Sequence, residues 1–420
     1  MKYKDEYIQI LKEELKPAMG CTEPIAIAYA SSIVRKYLKH EIKKINVLVS
    51  ANIIKNVKSV VVPNTNGLRG IKSACAIGIV AGNSSLQLEC ISNVNDEEIE
   101  KCKEFLNKNI IFVKPSTSDF VFDIDITGYT DDEACQVRIV DYHTNVVTIK
   151  YNDEFIINKE LSGIRKDDLT DRKLLDVEDI YDFIENVDIK EIEDLLLRQE
   201  KYNMAIAIEG LQHPYGANIG KTLLMNSENC IATKAKAYAS AASDARMNGC
   251  HMPVVINSGS GNQGITCSVP VIVYADELKV SHEKKMRALA LSNLLTIHIK
   301  TDIGRLSAYC GAIAAGCAAG AAIAYLYGGK LKEINHTLVN ALAIASGVIC
   351  DGAKASCAAK IVLALEAGIL GYNMYLAGNQ FKAGDGIVKK GVENTIHNVG
   401  LLASEGMVET DKEIIKIMMD

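Results

Sequence analysis

The sequence predicts an α+β fold, with a sheet in its first half and mostly helices in its second, on three observations. Between about residues 44 and 195, short runs alternate apolar and polar positions as half-buried strands do. From about 200 onward the apolar residues recur at helical spacing instead. Within that region, residues 306 to 329 carry no charge and are mostly Ala and Gly, the composition of a tightly packed central helix. A chain of 420 residues, 48% hydrophobic, can bury more than one core, and the composition shifts divide it into 1–43, 44–195 and 196–420.

Taken in order, residues 3 to 38 show helical spacing on both sides of GCTEP (20 to 24), which interrupts it. Gly20 can end a helix, Thr22 can cap the next and Pro24 suits its first turn, so Cys21 falls at a junction near free N–H groups. Cys21 is either a reactive thiol or a junction residue that packs. KINVLVSA, SVVVP, FVFDIDITGY, QVRIVDY and NVVTIKY read as strands, and DEEIEKCKEFLNK as a helix between them. The acidic run VEDIYDFIENVDIKEIED, residues 177 to 194, reads as the solvated face of a helical linker. PVVINSGSGNQGITCSVPVIVYA is the one stretch after 200 expected to be β-rich, and Pro270 reinforces that expectation. Ser281 then caps an amphipathic helix, SHEKKMRALALSNLLTIHIK.

Composition narrows the function. A net charge of −6 with no long basic run excludes nucleic acid and anionic membrane surfaces as main partners, leaving a small-molecule substrate. The charged N-terminus lacks the apolar core of a signal peptide, so the twelve Cys are expected reduced in a cytoplasm. The uncharged 306 to 329 stretch is long enough to span a bilayer, but bulky side chains are sparse and no aromatic belt accompanies it.

Cys310, Cys350 and Cys357 lie in the Gly- and Ala-rich runs LSAYCGAIAAGC and SGVICDGAKASC. Three thiolates suit a metal centre with one open position; the alternative is burial as small apolar filler. Asp351 and Gly352 suit a turn leading into a helix whose N–H groups favour thiolates. Gly259, Gly261 and Gly264 satisfy the spacing of a dinucleotide loop, but the β-rich sequel does not supply the helix that a pyrophosphate needs. What remains is an N–H-rich loop, Ser258, Gly259, Ser260, Gly261, Asn262 and Gln263, able to hold a carboxylate or to serve as a turn. His282, near a helix start, can be a neutral base or an exposed surface residue, and His213 is a weaker candidate of the same kind.

GCTEP, PNTNG (63 to 67), SGSGNQG (258 to 264), SAYCG (307 to 311) and ICDGAKASC (349 to 357) together resemble the L-cysteine desulfidase family, related to the α-chain domain of iron-sulfur L-serine dehydratases. The resemblance runs over nearly the whole chain. It implies that 196–420 is a mainly helical iron-sulfur catalytic domain, on which the N-terminal helices of 1–43 pack, and that 44–195 is an α+β domain. It further implies a cytoplasmic, oxygen-sensitive carbon-sulfur lyase with a 4Fe-4S cluster and no pyridoxal phosphate, converting L-cysteine to pyruvate, ammonia and hydrogen sulfide. Cys310, Cys350 and Cys357 would be the ligands, with Cys21 a catalytic thiol or a further ligand. The gap between Cys350 and Cys357 is shorter than in the serine-acting relatives, which makes Cys357 the least secure. Cys21 and His282 are the two candidates for the base at Cα, and Asn64 and Asn66 join the 258 to 263 loop as expected substrate contacts. Other readings are an iron-sulfur L-serine dehydratase, a non-enzymatic iron-sulfur cysteine sensor, a three-cysteine zinc site and a dinucleotide-dependent dehydrogenase. The Ala/Gly-rich helices could also pack against a second subunit in a homodimer.

Overall fold

A computed structural model describes residues 2–118, 120–159, 169–304 and 307–419. The first half runs α1 (Lys4–Glu14), β1 (Pro17–Met19), α2 (Thr22–Tyr37), β2 (Lys44–Val49), α3 (Ala51–Val57), α4 (Gly70–Ala81), α5 (Asp96–Asn107), β3 (Ile111–Pro115), β4 (Asp123–Tyr129), β5 (Ala134–Val140), β6 (Val146–Tyr151) and β7 (Glu154–Asn158). Helices follow: α6 (Val177–Asn186), α7 (Glu193–Gln212), α8 (Ile219–Asn226) and α9 (Ile231–Met247). After β8 (Pro253–Val255) come α10 (Gly261–Glu277), α11 (His282–Ile303), α12 (Gly311–Leu326), α13 (Leu331–Ala345), α14 (Ser356–Leu376), α15 (Val392–Leu401) and α16 (Val408–Met419). This is the α+β fold that the sequence predicts.

Six strands form a mixed sheet in the order β3-β2-β4-β5-β6-β7, with β2 and β3 parallel and the remaining pairs antiparallel. Alternation sets its inner face: Ile45, Val47, Ile124, Ile126, Val137 and Ile139 are fully buried and share a core with α2 and α4. SVVVP is not a strand; Val61 makes only an isolated bridge to Arg69.

A second core is built around α12, whose residues from Ala312 to Leu326 are all buried among α10, α11, α13 and α14. Small residues make this possible. A β-carbon on Gly316 would lie 2.5 Å from the Ala364 backbone, and one on Gly320 would lie 2.5 Å from the Gly368 Cα, so α12 and α14 touch backbone to backbone. At 16 residues, α12 is a buried helix and short for a membrane span. Among the described residues, α14 is the one helix long and apolar enough to cross a membrane, and half of its most apolar window is buried inside the protein. The opening segment divides between the cores: Tyr7, Ile10 and Leu11 of α1 join the helical one, and Ile25, Ala28 and Ile33 of α2 join the sheet.

Two expectations need correction. ITCSVPVIVYA is not β-rich but forms most of α10, a helix buried from Gln263 to Ala275 with Pro270 in its interior. A helix apolar on every side has no period to read, and packing overrides the β-propensity of its Val and Ile residues. Residues 177 to 194 are not a linker either. Val177, Ile180, Phe183 and Ile184 bury one side of α6 in the helical core, while Asp176 caps it by accepting hydrogen bonds from Glu178 N and Asp179 N.

Candidate active site

A cleft of about 1000 Å³ is lined by residues of both cores. The starts of six helices line it: Cys21 to Glu23 of α2, Ser50 to Asn52 of α3, Ser260, Asn262 and Gln263 of α10, Cys310 to Ala312 of α12, Cys357 of α14 and Val408 of α16. Helix N-termini present unpaired N–H groups and a partial positive charge, so they offer donors to an anion that enters the cleft.

Cys310, Cys350 and Cys357 all line the cleft. Two of them are neighbours through a short antiparallel bridge, Tyr309 with Ile349, in which Cys310 N donates to Val348 O (3.0 Å) and Cys350 N to Ala308 O (2.6 Å). Cys310 then occupies the N-cap position of α12, and Cys357 the first turn of α14. The contact of α12 with α14 therefore sets how far apart these two thiols stand. The loop between Cys350 and Cys357 is anchored by Asp351, which accepts from Lys354 (2.9 Å) and from Lys360, while Lys360 also donates to Ile349 O (2.9 Å). Gly352, at φ +94°, brings this loop onto α3, where a β-carbon would lie 2.2 Å from Lys55 O. Burial, and then the neighbouring Cys350 and Cys357, push the Cys310 thiol up to about 12; burial also raises Cys357.

The opposite wall is the 258 to 263 loop. Asn203 clamps it from α7, accepting from Val255 N (2.8 Å) and donating to Gly264 O (3.1 Å), while Asn257 donates to Asn293 (2.9 Å). The glycines permit close approach: a β-carbon on Gly264 would lie 2.1 Å from Val255 O, and one on Gly261 would lie 2.1 Å from Arg246 Nε. Arg246, near the end of α9, thus lies across the start of α10. Its Nη1 donates to Asn262 Oδ1 (3.2 Å), and its Nε is buried without a partner. Gln263 Oε1 and the Tyr309 hydroxyl, both lining the cleft, are also buried and unpartnered.

Cys21 takes the N-cap position of α2 where Thr22 was expected to cap, and its Sγ donates to Glu23 Oε2 at 3.0 Å. Thr22 Oγ1 donates to the same oxygen (3.2 Å), and Asn56 Nδ2 to Glu23 Oε1 (3.3 Å). Full burial, and then the Glu23 carboxylate, raise Cys21 well above the ordinary thiol range despite Arg246 nearby. Both causes disfavour the thiolate, and the Sγ–H bond to Glu23 is the one the thiol form makes. Gly20, at φ +52°, seats this junction on Pro63, where a β-carbon would lie 2.1 Å from Cγ.

The model of the serine dehydratase alpha chain matches residues 85–416 of this chain. The chain belongs to that family. The match holds the 258 to 263 loop and Cys310, Cys350 and Cys357, but starts after Cys21. Full-length relatives cover the rest. A UPF0597 protein of Desulfitobacterium hafniense is 55% identical over 419 residues, 100% of this chain and 97% of that one. UPF0597 proteins of Finegoldia magna and Treponema denticola are 48% and 44% identical, each covering 99% of this chain and 99% and 98% of their own length.

In this serine dehydratase alpha-chain relative, five expected site residues stand outside the cleft lining. Asn64 is buried and donates to Ile91 O (2.8 Å) and Ser92 O (3.2 Å), with His251 against its Oδ1. Asn66 is bound to Asp96 Oδ1 (3.1 Å). Both have positive φ, so PNTNG is built as a turn. His282 is exposed and pairs with Glu193 (2.5 Å), and His213 pairs with Glu209 (2.9 Å). Ser258, Gly259, Ser260, Asn262 and Gln263 do line the cleft, as Cys21 does; Gly261 lies behind them under Arg246. The sequence reading missed Arg246, Glu23 and Tyr309, none of which stands in a spacing pattern of its own.

The dinucleotide pattern now has the helix it seemed to lack, but β8 is a three-residue strand paired antiparallel to β1, without the parallel crossover of a dinucleotide fold. A zinc-ligand set fits no better. Zn–S bonds of about 2.3 Å would hold three sulfurs within about 4 Å of each other. The three Sγ atoms do not lie within 4.8 Å of one another; among the described residues the one such group is His40, Asp132 and Glu133, on the surface. A cluster, whose cysteines each bind a different iron, does not need its sulfurs that close.

Proposed function

We propose that the chain is an iron-sulfur lyase that eliminates the β-substituent of a small L-amino acid, converting L-cysteine to pyruvate, ammonia and hydrogen sulfide. The observation that carries this reading is the convergence of Cys310, Cys350 and Cys357 on one cleft whose other walls are helix N-termini and unpartnered buried polar atoms. Those three would hold a 4Fe-4S cluster. A cluster with three protein ligands supplies a Lewis-acidic iron to the leaving heteroatom.

The chain's own residues supply the rest. The N–H groups at the start of α10, with Ser260 and Asn262, orient the amino acid. Cys21 removes the Cα proton as its own passes to Glu23, the acceptor already 3.0 Å away. The electron pair left at Cα forms the double bond to Cβ as the Cβ–S bond breaks and sulfide departs. Aminoacrylate then tautomerises to the imine, which water hydrolyses to pyruvate and ammonia.

The family's name favours a second substrate, L-serine, with water in place of sulfide. Side-by-side turnover by protein prepared and assayed without oxygen separates the two. Higher kcat/KM for L-cysteine, with sulfide and pyruvate formed in equal amounts, is expected; faster turnover of L-serine would replace this substrate, and no turnover of either by cluster-loaded protein would overturn the lyase reading.

A further inference from the structure

We propose that Arg246 is the specificity-determining anchor for the substrate's α-carboxylate, gripping it together with the N-terminus of α10. The proposal deepens the lyase reading and rests on it. Arg246 is 3% exposed, yet among the described residues no carboxylate stands within 4.0 Å of its guanidinium. Its polar contacts there are neutral, Asn262 Oδ1 at 3.2 Å and Met247 Sδ at 3.3 Å, and its Nε has none. Arg138 is neutralised by Asp123 (2.8 Å) and Arg172 by Glu13 and Glu14 (2.5 and 2.7 Å), while the half-buried Arg198, bonded to Leu15 O (3.1 Å), lies outside the cleft and is less buried than Arg246. A buried cation without a counter-charge is costly, and its persistence points to an anion that arrives from outside.

The surroundings fix what kind of anion. The guanidinium lies over Gly261, in the first turn of α10, so its charge and the free N–H groups of that turn address the same space. Arginine's planar fork matches a carboxylate in bidentate geometry. Of the lysines that also line the cleft, Lys55 is paired with Asp411 and Lys360 with Asp351, so their charge is already answered within the protein. Glu23, on the adjoining α2, gives the same cleft a carboxylate beside this cation. An α-amino acid carries these two charges together. Gly261 is required for geometric reasons: any side chain there would displace the guanidinium.

The test compares L-cysteine with its methyl ester, which keeps the amine and thiol but loses the anionic carboxylate. Calorimetric binding to cluster-free protein is measured alongside kcat/KM of the loaded enzyme, for wild type, Arg246→Lys and Gly261→Ala. Wild type is expected to bind L-cysteine about 100-fold more tightly than the ester, a preference lost in both variants. Bound iron and visible colour should be unchanged in Arg246→Lys. Equal wild-type affinity for acid and ester overturns the proposal even if neither variant folds, and so does an Arg246→Lys enzyme that keeps its preference for the acid. Loss of colour in Arg246→Lys with the preference for the acid intact would assign the arginine to the cluster instead. If the loaded protein turns over no amino acid while cluster-free wild type still prefers the acid, the lyase reading fails and the carboxylate anchor stands.

Discussion

Cys310→Ala is expected to lose bound iron, visible colour and turnover together, with activity falling to background. Cys310 is 7% exposed and is held from both sides, by its bridge to the strand of Cys350 and by its place at the start of α12. Cys350→Ala and Cys357→Ala should behave alike, because a cluster missing one of three ligands is open to solvent and to loss of iron. Cys317→Ala is the control: Cys317 is fully buried within α12, outside the cleft lining, and its loss should cost about 1 kcal/mol of packing and leave colour intact. Iron analysis and absorption of anaerobically prepared variants read each outcome. A colourless Cys317→Ala beside a coloured Cys310→Ala would invert the assignment.

Glu23→Gln should keep iron and colour but lower kcat by about 100- to 10,000-fold, the range for removing a proton acceptor. The amide still fits the contact with Asn56 after a flip, so the fold is preserved, but it cannot take the Cys21 proton. Cys21→Ala should give a similar loss with colour retained, and the two losses should not add, since both residues move one proton. Rates of exchange of the Cα hydrogen with solvent deuterium check this apart from the rest of turnover. Loss of colour in Cys21→Ala would place Cys21 among the cluster ligands.

Much of the arrangement was legible from local pattern. The strand alternation of KINVLVSA or QVRIVDY reports one buried face, and the sheet has it. The Ala and Gly of 306 to 329 report close helix packing, which Gly316 and Gly320 realise. The cysteine motifs were visible because Gly and Ala surround them, although the Tyr309–Ile349 bridge joining two of them spans some 40 residues of chain and has no sequence signal. The failures share a cause. α10 is buried on all sides, so hydrophobic period carries no information there. His282 and the PNTNG asparagines were singled out for residue type, and tertiary pairing with Glu193, Ile91 and Asp96 uses them elsewhere. Arg246 carries no sequence signal, because an arginine in a helical run looks like surface until its burial is known.

A single exchangeable iron site is the centre of the account, and Mössbauer spectroscopy of protein reconstituted with isotopically enriched iron tests it most directly. On addition of L-cysteine, one iron site of the cluster should change its isomer shift and quadrupole splitting while the others hold. Spectra that are identical with and without substrate, from protein that is turning over, would contradict it.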